Sequence, residues 1–358
     1  MEQASTGKVL FFIPDISGFT KFVSETEISH SQHIIQELLE TLVDASAMGL
    51  KVGEFEGDAV LFYRTGPLPA LPEFVEQARR MFVAFHTRLK TNEMLRICQC
   101  GACSGAPGLT LKIVSHFGPA SPMQVKGQVK FIGTGVIVAH RLLKNSAPSR
   151  EYLLLTRELL DALAPCLDAT PPFADGSDAF DEIGRIEYRH MSLQAYHDQV
   201  KIDPPEPFVL KDPHQVMQLS QHIAAPMEHV YQVMIDLPGR MLWIEGITEV
   251  QLRQDGANRI GAIHRCVRSG GDRDLLTSDV KVTDDSLEFW ETDLKKMGAC
   301  RYLLRRSAAG ETDLDLEFFV SGNALVRMVF KAFIANKLRV GFVKSLANLA
   351  AHCEKAMH

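Results

Sequence analysis

Large amphipathic side chains are scarce in this chain, with two tryptophans and six tyrosines in 358 residues, and neither sign of charge dominates. Thirty-eight Lys and Arg stand against 44 Asp and Glu, a formal net charge of -6. That balance gives no global attraction to nucleic acid, whose backbone favours clustered Lys and Arg, so no nucleic-acid partner is expected. No uninterrupted apolar run approaches the ~20 residues of a membrane helix. Residues 1–8 lack the basic, apolar and small-residue segments of a signal peptide. The expectation is a cytoplasmic protein with no transmembrane segment. Its seven cysteines, an odd number with no export signal, point to reduced thiols rather than a disulfide framework. There is no Gly-x-Ser-x-Gly elbow, no Walker sequence and no dinucleotide fingerprint, which leaves hydrolase, ATPase and dehydrogenase readings without a starting point. Internal repeats and low-complexity tracts are also missing.

What the chain has is the composition of an ordinary globular protein, 46% hydrophobic and 23% charged, at a length that favours two domains. Val9 to Ile13 is a continuous apolar run, Ile34, Leu38, Leu39, Leu42 and Val43 recur at helical spacing, and Val60 to Tyr63 reads as a second strand. Glu73 to Leu89 is an amphipathic helix with Phe74, Ala78, Met81, Phe82 and Phe85 on its apolar face. A strand at Leu109 to Phe117, a helix from Gly133 to Leu143, a strand-to-helix passage from Tyr152 to Leu163 and a last strand from Ile186 to Tyr196 complete a domain over residues 7–198. Residues 199–213, with Pro204, Pro205 and Pro207, form a stiff linker. The second domain, 214–358, reads as a strand at Val216 to Ile223, a short helix around Pro226 to Met234, several strands between Ile247 and Val320, and one long helix from about Ala324 to Ala356. Leu338, Phe342, Leu346, Leu349 and Cys353 share one face of that helix.

Two segments carry chemistry. Phe12-Ile13-Pro14-Asp15-Ile16-Ser17-Gly18-Phe19-Thr20 and Glu54-Phe55-Glu56-Gly57-Asp58 each set an aspartate in a turn beside an apolar strand, so that two carboxylates converge on one sheet edge. In order and separation they resemble the two metal-binding motifs of class III nucleotidyl cyclases. The resemblance implies an α+β, ferredoxin-like cyclase domain. It also implies that Asp15, Asp58 and the Ile16 carbonyl hold Mg2+ or Mn2+, a hard-oxygen donor set. The backbone at Gly18, Phe19 and Thr20 would cradle the phosphates of a nucleoside triphosphate.

Gly133-Thr134-Gly135-Val136-Ile137-Val138-Ala139-His140-Arg141 is similar to the family's transition-state helix, placing Arg141 on the catalytic arginine that stabilises phosphate charge. The asparagine expected four residues earlier is Ile137, which cannot hydrogen-bond a ribose. Glu54 falls on the base-reading position and leans toward guanine, whereas Lys130, near the second such position, matches neither the adenine nor the guanine version. The family builds its site across a homodimer interface, so a homodimer is implied. Two readings follow: an enzyme that cyclises a triphosphate, with GTP favoured, and a catalytically silent nucleotide or metal sensor.

Cys98, Cys100 and Cys103 crowd into six residues ahead of a glycine-rich stretch. Three thiolates there suit Zn2+ if His86, His116 or a partner-chain residue adds a fourth ligand; free thiols in a tight loop and a redox-responsive cluster are the alternatives. His30 and His33, about one helical turn apart, read as surface or core histidines. Residues 214–358, with Ala224 to Met234 and Leu242-Trp243-Ile244 at their start, resemble START-like (polyketide-cyclase-like, SRPBCC) helix-grip domains. Such domains bind an apolar small molecule between sheet and helix, and Trp243, Phe289, Trp290, Phe330 and Phe333 are the candidate lining, with plain core packing the alternative.

Overall fold

The computed structural model describes residues 7–24, 28–163, 172–253 and 259–355. It divides into two compact units, residues 1–94 with 100–203, and residues 95–99 with 204–358.

The first unit is built outward from β1 (Gly7–Ser17), in which every residue from Val9 to Ile16 is buried. Burial on both faces is the mark of a central strand. Leu10, Phe12 and Ile16 enter one core, while Val9, Phe11 and Ile13 enter another on the opposite side. After β1 come α1 (Phe19–Ser24), α2 (Ile28–Asp44), β2 (Lys51–Glu56), β3 (Ala59–Arg64), α3 (Leu71–Leu95), α4 (Gly101–Gly105), β4 (Thr110–Val125), β5 (Gln128–Ile132) and α5 (Thr134–Arg141). The unit ends with β6 (Tyr152–Thr156), α6 (Arg157–Ala162), β7 (Ala174–Phe180) and β8 (Gly184–Ser192).

The sheet runs β2-β3-β1-β4-β6-β8-β7, with β5 paired to β4. Because β3 is antiparallel to both β1 and β2, those two strands are parallel with β3 between them, and β4 lies antiparallel on the other side of β1. This is the ferredoxin-like order, a split β-α-β unit. The apolar stripes of α2 and α3, including Leu38, Leu42, Phe74, Phe82 and Phe85, close the larger core, and Val138 and Ala139 of α5 pack on the opposite side. Lys126 (φ 48) and Gly127 (φ 85) link β4 to β5 with both residues in the left-handed region, the two-residue turn that matches strand twist.

Strands β2, β5 and β7 were not evident in the sequence. Their residues alternate weakly, carry charge and stay partly in solvent.

The second unit contains β9 (Pro213–Ile223), α7 (Met227–Ile235), β10 (Ile247–Leu252), β11 (Ile263–Arg268), β12 (Arg273–Val282), β13 (Ser286–Asp293), β14 (Gly298–Arg306), β15 (Thr312–Ser321), α8 (Ala324–Phe333) and α9 (Ala335–Lys355). Its sheet is antiparallel throughout, ordered β10-β11-β12-β13-β14-β15-β9. The expected single terminal helix is two helices that meet at Ile334, and Ala356 lies outside the described residues. Leu346, Leu349 and Cys353 of α9 are buried as their spacing predicts. Ser345 Oγ accepts the Glu245 N–H at 2.9 Å, and Asn348 donates to the Trp243 carbonyl at 3.3 Å, fixing α9 to the segment before β10. The short stretch 95–99 belongs to this unit: Tyr231 Oη donates to the Ile97 carbonyl at 2.8 Å, and Ile260 N–H to that of Leu95 at 2.9 Å.

Candidate functional sites

Asp15 sits near the end of β1, in register with Ala59 of β3 and Lys112 of β4. Gly57, at φ +66, makes the β2–β3 turn with Asp58, and the Asp58 carbonyl accepts the Ile16 N–H at 3.0 Å. The two aspartates are thereby tied to one sheet edge. Burial, reinforced by the neighbouring Asp58 charge, pushes the Asp15 carboxyl up to about 6 against the pull of Lys112, and burial raises Asp58 as well. Lys112 Nζ stands 3.4 Å from Asp15 Oδ2 and donates to the Leu143 carbonyl at 2.8 Å, a cation in the site that the sequence did not announce.

A buried Asp15 with a half-buried Asp58 beside it and one ammonium as countercharge fits a hard divalent ion, which would relieve the charge that burial penalises.

Gly18, at φ +92, turns the chain into α1, where its carbonyl accepts the Phe22 N–H at 3.0 Å. Only glycine holds that angle without strain. Phe19 is half-buried against the helix-side core, and Thr20 is exposed.

Glu54 does not stand alone: its Oε2 accepts from Lys130 Nζ at 2.7 Å, so the two residues expected to read a base neutralise each other across β2 and β5. One residue pair further along β2, Glu56 takes His140 Nδ1 at 3.0 Å, and that bond lowers its carboxyl. Arg141 ends α5 at the surface and pairs with the exposed Glu182. Ile137, one turn earlier, is 45% exposed. Phe55, Ile132 and Ile137 together leave apolar side chains in solvent around this edge.

Cys100 caps α4 and its Sγ accepts the Cys103 N–H at 3.5 Å. His30 Nδ1, at the start of α2, is 3.2 Å from Cys100 Sγ and 3.6 Å from Cys103 Sγ. The candidate fourth ligands named from sequence lie elsewhere. His86 is 2.8 Å from Glu151, whose other oxygen is 2.9 Å from His197, and His116 bonds the Thr156 hydroxyl at 2.9 Å. Nothing local in the sequence joins His30 to thiols 70 residues away. Cys98, in the second unit, is buried, its Sγ donating to Gln232 Oε1 at 3.4 Å.

Sheet, α8 and α9 of the second unit enclose a cavity of about 480 Å³. Trp243, Phe318, Phe330, Leu338 and Phe342 line it, with Arg240 and Glu291 at a polar end. Of the aromatics expected there, Trp243 and Phe330 face the cavity. Phe289 is core, stacked on Tyr302 at 4.6 Å; Trp290 packs on Phe319 at 5.0 Å and donates to Glu288; Phe333 is 81% exposed. Strand alternation separates Phe289 from Trp290, and the break at Ile334 turns Phe333 outward. The buried Arg240 donates to Glu291 Oε1 at 2.5 Å and to the Met234 carbonyl, while His264 beside them is held down to about 4 by burial.

The first unit is a ferredoxin-like sheet domain, and the second is an SRPBCC-type sheet domain. Residues 214–354 match a family described as "Polyketide cyclase / dehydrase and lipid transport", and residues 35–152 one described as "Protein of unknown function (DUF2652)". Similar solved structures are cyclase domains. The guanylyl cyclase Cya2 is 12% identical with a TM-score of 0.37, covering 52% of this chain and 92% of its own. The adenylyl cyclase CyaB from P. aeruginosa is 15% identical with a TM-score of 0.34, over 52% and 95%. The uncharacterized protein Rv2561/Rv2562 of Mycobacterium tuberculosis is 34% identical over 163 residues, 44% of this chain and 72% of that protein. The chain belongs to the family of that mycobacterial protein.

Proposed function

We propose that the first unit binds a nucleoside triphosphate with Mg2+ or Mn2+, and that the second unit governs it through an apolar ligand. The observation that carries the reading is the buried Asp15 with the half-buried Asp58 beside it on one sheet edge, both carboxyls raised mainly by burial. Asp15, Asp58 and the Ile16 carbonyl would hold the ions, which supply charge neutralisation for the triphosphate when bound. The backbone at Gly18, Phe19 and Thr20 would meet its phosphates. Exposed Phe55 and Ile132 supply apolar surface for a second copy of the chain, the arrangement in which Arg141 would reach the other copy's site.

The Glu54–Lys130 pair and Ile137 favour binding over rapid turnover. A base must break an ion pair to be read, and Ile137 offers the ribose no hydrogen bond. Arg141, tied only to an exposed Glu182 among the described contacts, keeps the cyclising reading open with GTP as the preferred substrate. In the second unit, Arg268 and Arg273 line the same cavity as the aromatics, a set suited to an apolar molecule with an anionic end.

The test is incubation of the purified protein with each triphosphate and Mn2+ or Mg2+, with cyclic nucleotide and pyrophosphate resolved by chromatography and Asp58→Asn as control. Metal-dependent retention of nucleotide with slow or no product supports the sensor reading. Product that disappears in Asp58→Asn supports the enzyme. Neither retention nor product, with the protein folded, would overturn both.

A further inference from the structure

The cysteine turn shares no residue with the proposed triphosphate site, and its geometry is that of a metal knuckle. Zinc held at about 2.3 Å by sulfur and about 2.05 Å by imidazole nitrogen in a tetrahedron sets N···S separations of roughly 3.6 Å. His30 Nδ1 stands 3.2 Å and 3.6 Å from the Cys100 and Cys103 sulfurs. The Cys103 N–H points at Cys100 Sγ, a bond that favours the thiolate over the thiol. The spacing Cys100-Gly101-Ala102-Cys103 puts two sulfurs on one tight turn.

We propose that His30, Cys100 and Cys103 bind one Zn2+, with water in the fourth position. Two soft thiolates and one imidazole favour zinc over the harder divalent ions. Bound there, the ion closes a loop of about 70 residues between the start of α2 and the turn after α3. It thereby fixes the beginning of the helix that follows the Gly18–Thr20 segment and α1. The competing chemistry for the same turn is a Cys100–Cys103 disulfide, in which two thiols lose two protons and two electrons to an external oxidant.

The experiment uses the full chain, purified without added metal or chelator. Elemental analysis is expected to find about one zinc per chain, released when a mercurial blocks the thiols. Refolding with Co2+ alone should give the intense visible bands of tetrahedral thiolate coordination, absent in Cys103→Ser. His30→Ala should weaken zinc affinity roughly tenfold or more, while His33→Ala on the same helix leaves it unchanged. Zinc-free protein that gives no tetrahedral Co2+ spectrum, or a Cys100–Cys103 disulfide in freshly purified protein by mass spectrometry, would overturn the proposal. The wild-type Co2+ spectrum decides the matter even if a variant fails to fold, and none of these readouts depends on nucleotide binding.

Discussion

Asp15 is the central residue of the proposed site, because its environment opposes its own charge. With its carboxyl near 6 rather than the usual 3.8, protons compete with metal just below neutrality. Metal-dependent nucleotide affinity should therefore hold above about pH 6 and fall progressively as pH drops through it, a dependence that titrations between pH 5 and 8 would reveal. Removing the ammonium with Lys112→Met should move the Asp15 titration higher still, as carboxyl-detected NMR can follow. In the second unit, Arg240→Met would leave Glu291 buried without its countercharge and cost about 3–5 kcal/mol in urea unfolding. At this scale the sequence announced both aspartates and Gly18 through local pattern. It announced neither Lys112 nor the Glu54–Lys130 pair, since those contacts depend on strand register across distant segments.

Elements with strong apolar periodicity were legible: β1, α2, α3, β3 and α9 sit where Val9 to Ile13, Ile34 to Val43, Phe74 to Phe85, Val60 to Tyr63 and Leu346 to Cys353 place them. Elements stabilised mainly by pairing were not. β2 carries Lys51, Glu54 and Glu56 and is bulged between Val52 and Glu54, so only its partner β3 marks it as a strand. On α5, Ile137 is exposed enough that Ile137→Asn should change stability by no more than about 0.5 kcal/mol while adding a ribose hydrogen bond. Nucleotide affinity should rise with the melting temperature unchanged. The strand-borne histidines predict acid sensitivity. His116 of β4 and His264 of β11 are both held neutral, near 4, mainly by burial. Between about 4 and 6.5 the unfolded chain binds more protons than the folded one, so stability contributed by these groups is lost as pH falls through that window. Melting temperatures recorded at pH 7.5 and pH 5 should fall with acid for this reason, and His116→Gln should lessen the fall.

Across the whole molecule, two units with separate cores carry separate candidate sites: a carboxylate edge in one and an apolar cavity in the other. The cavity, at about 480 Å³, suits a small-molecule site. Leu338→Trp, which fills it, should weaken binding of an apolar dye such as anilinonaphthalene sulfonate roughly tenfold with the fold retained by circular dichroism. Triphosphate binding by the first unit is tested by calorimetric titration of the native protein with GTP at pH 7.5, with and without Mn2+, and of the Asp15→Asn/Asp58→Asn double variant. Saturable binding that requires Mn2+ and is lost in the double variant is the expected result. Binding of equal strength without metal, or undiminished in the double variant, would contradict it.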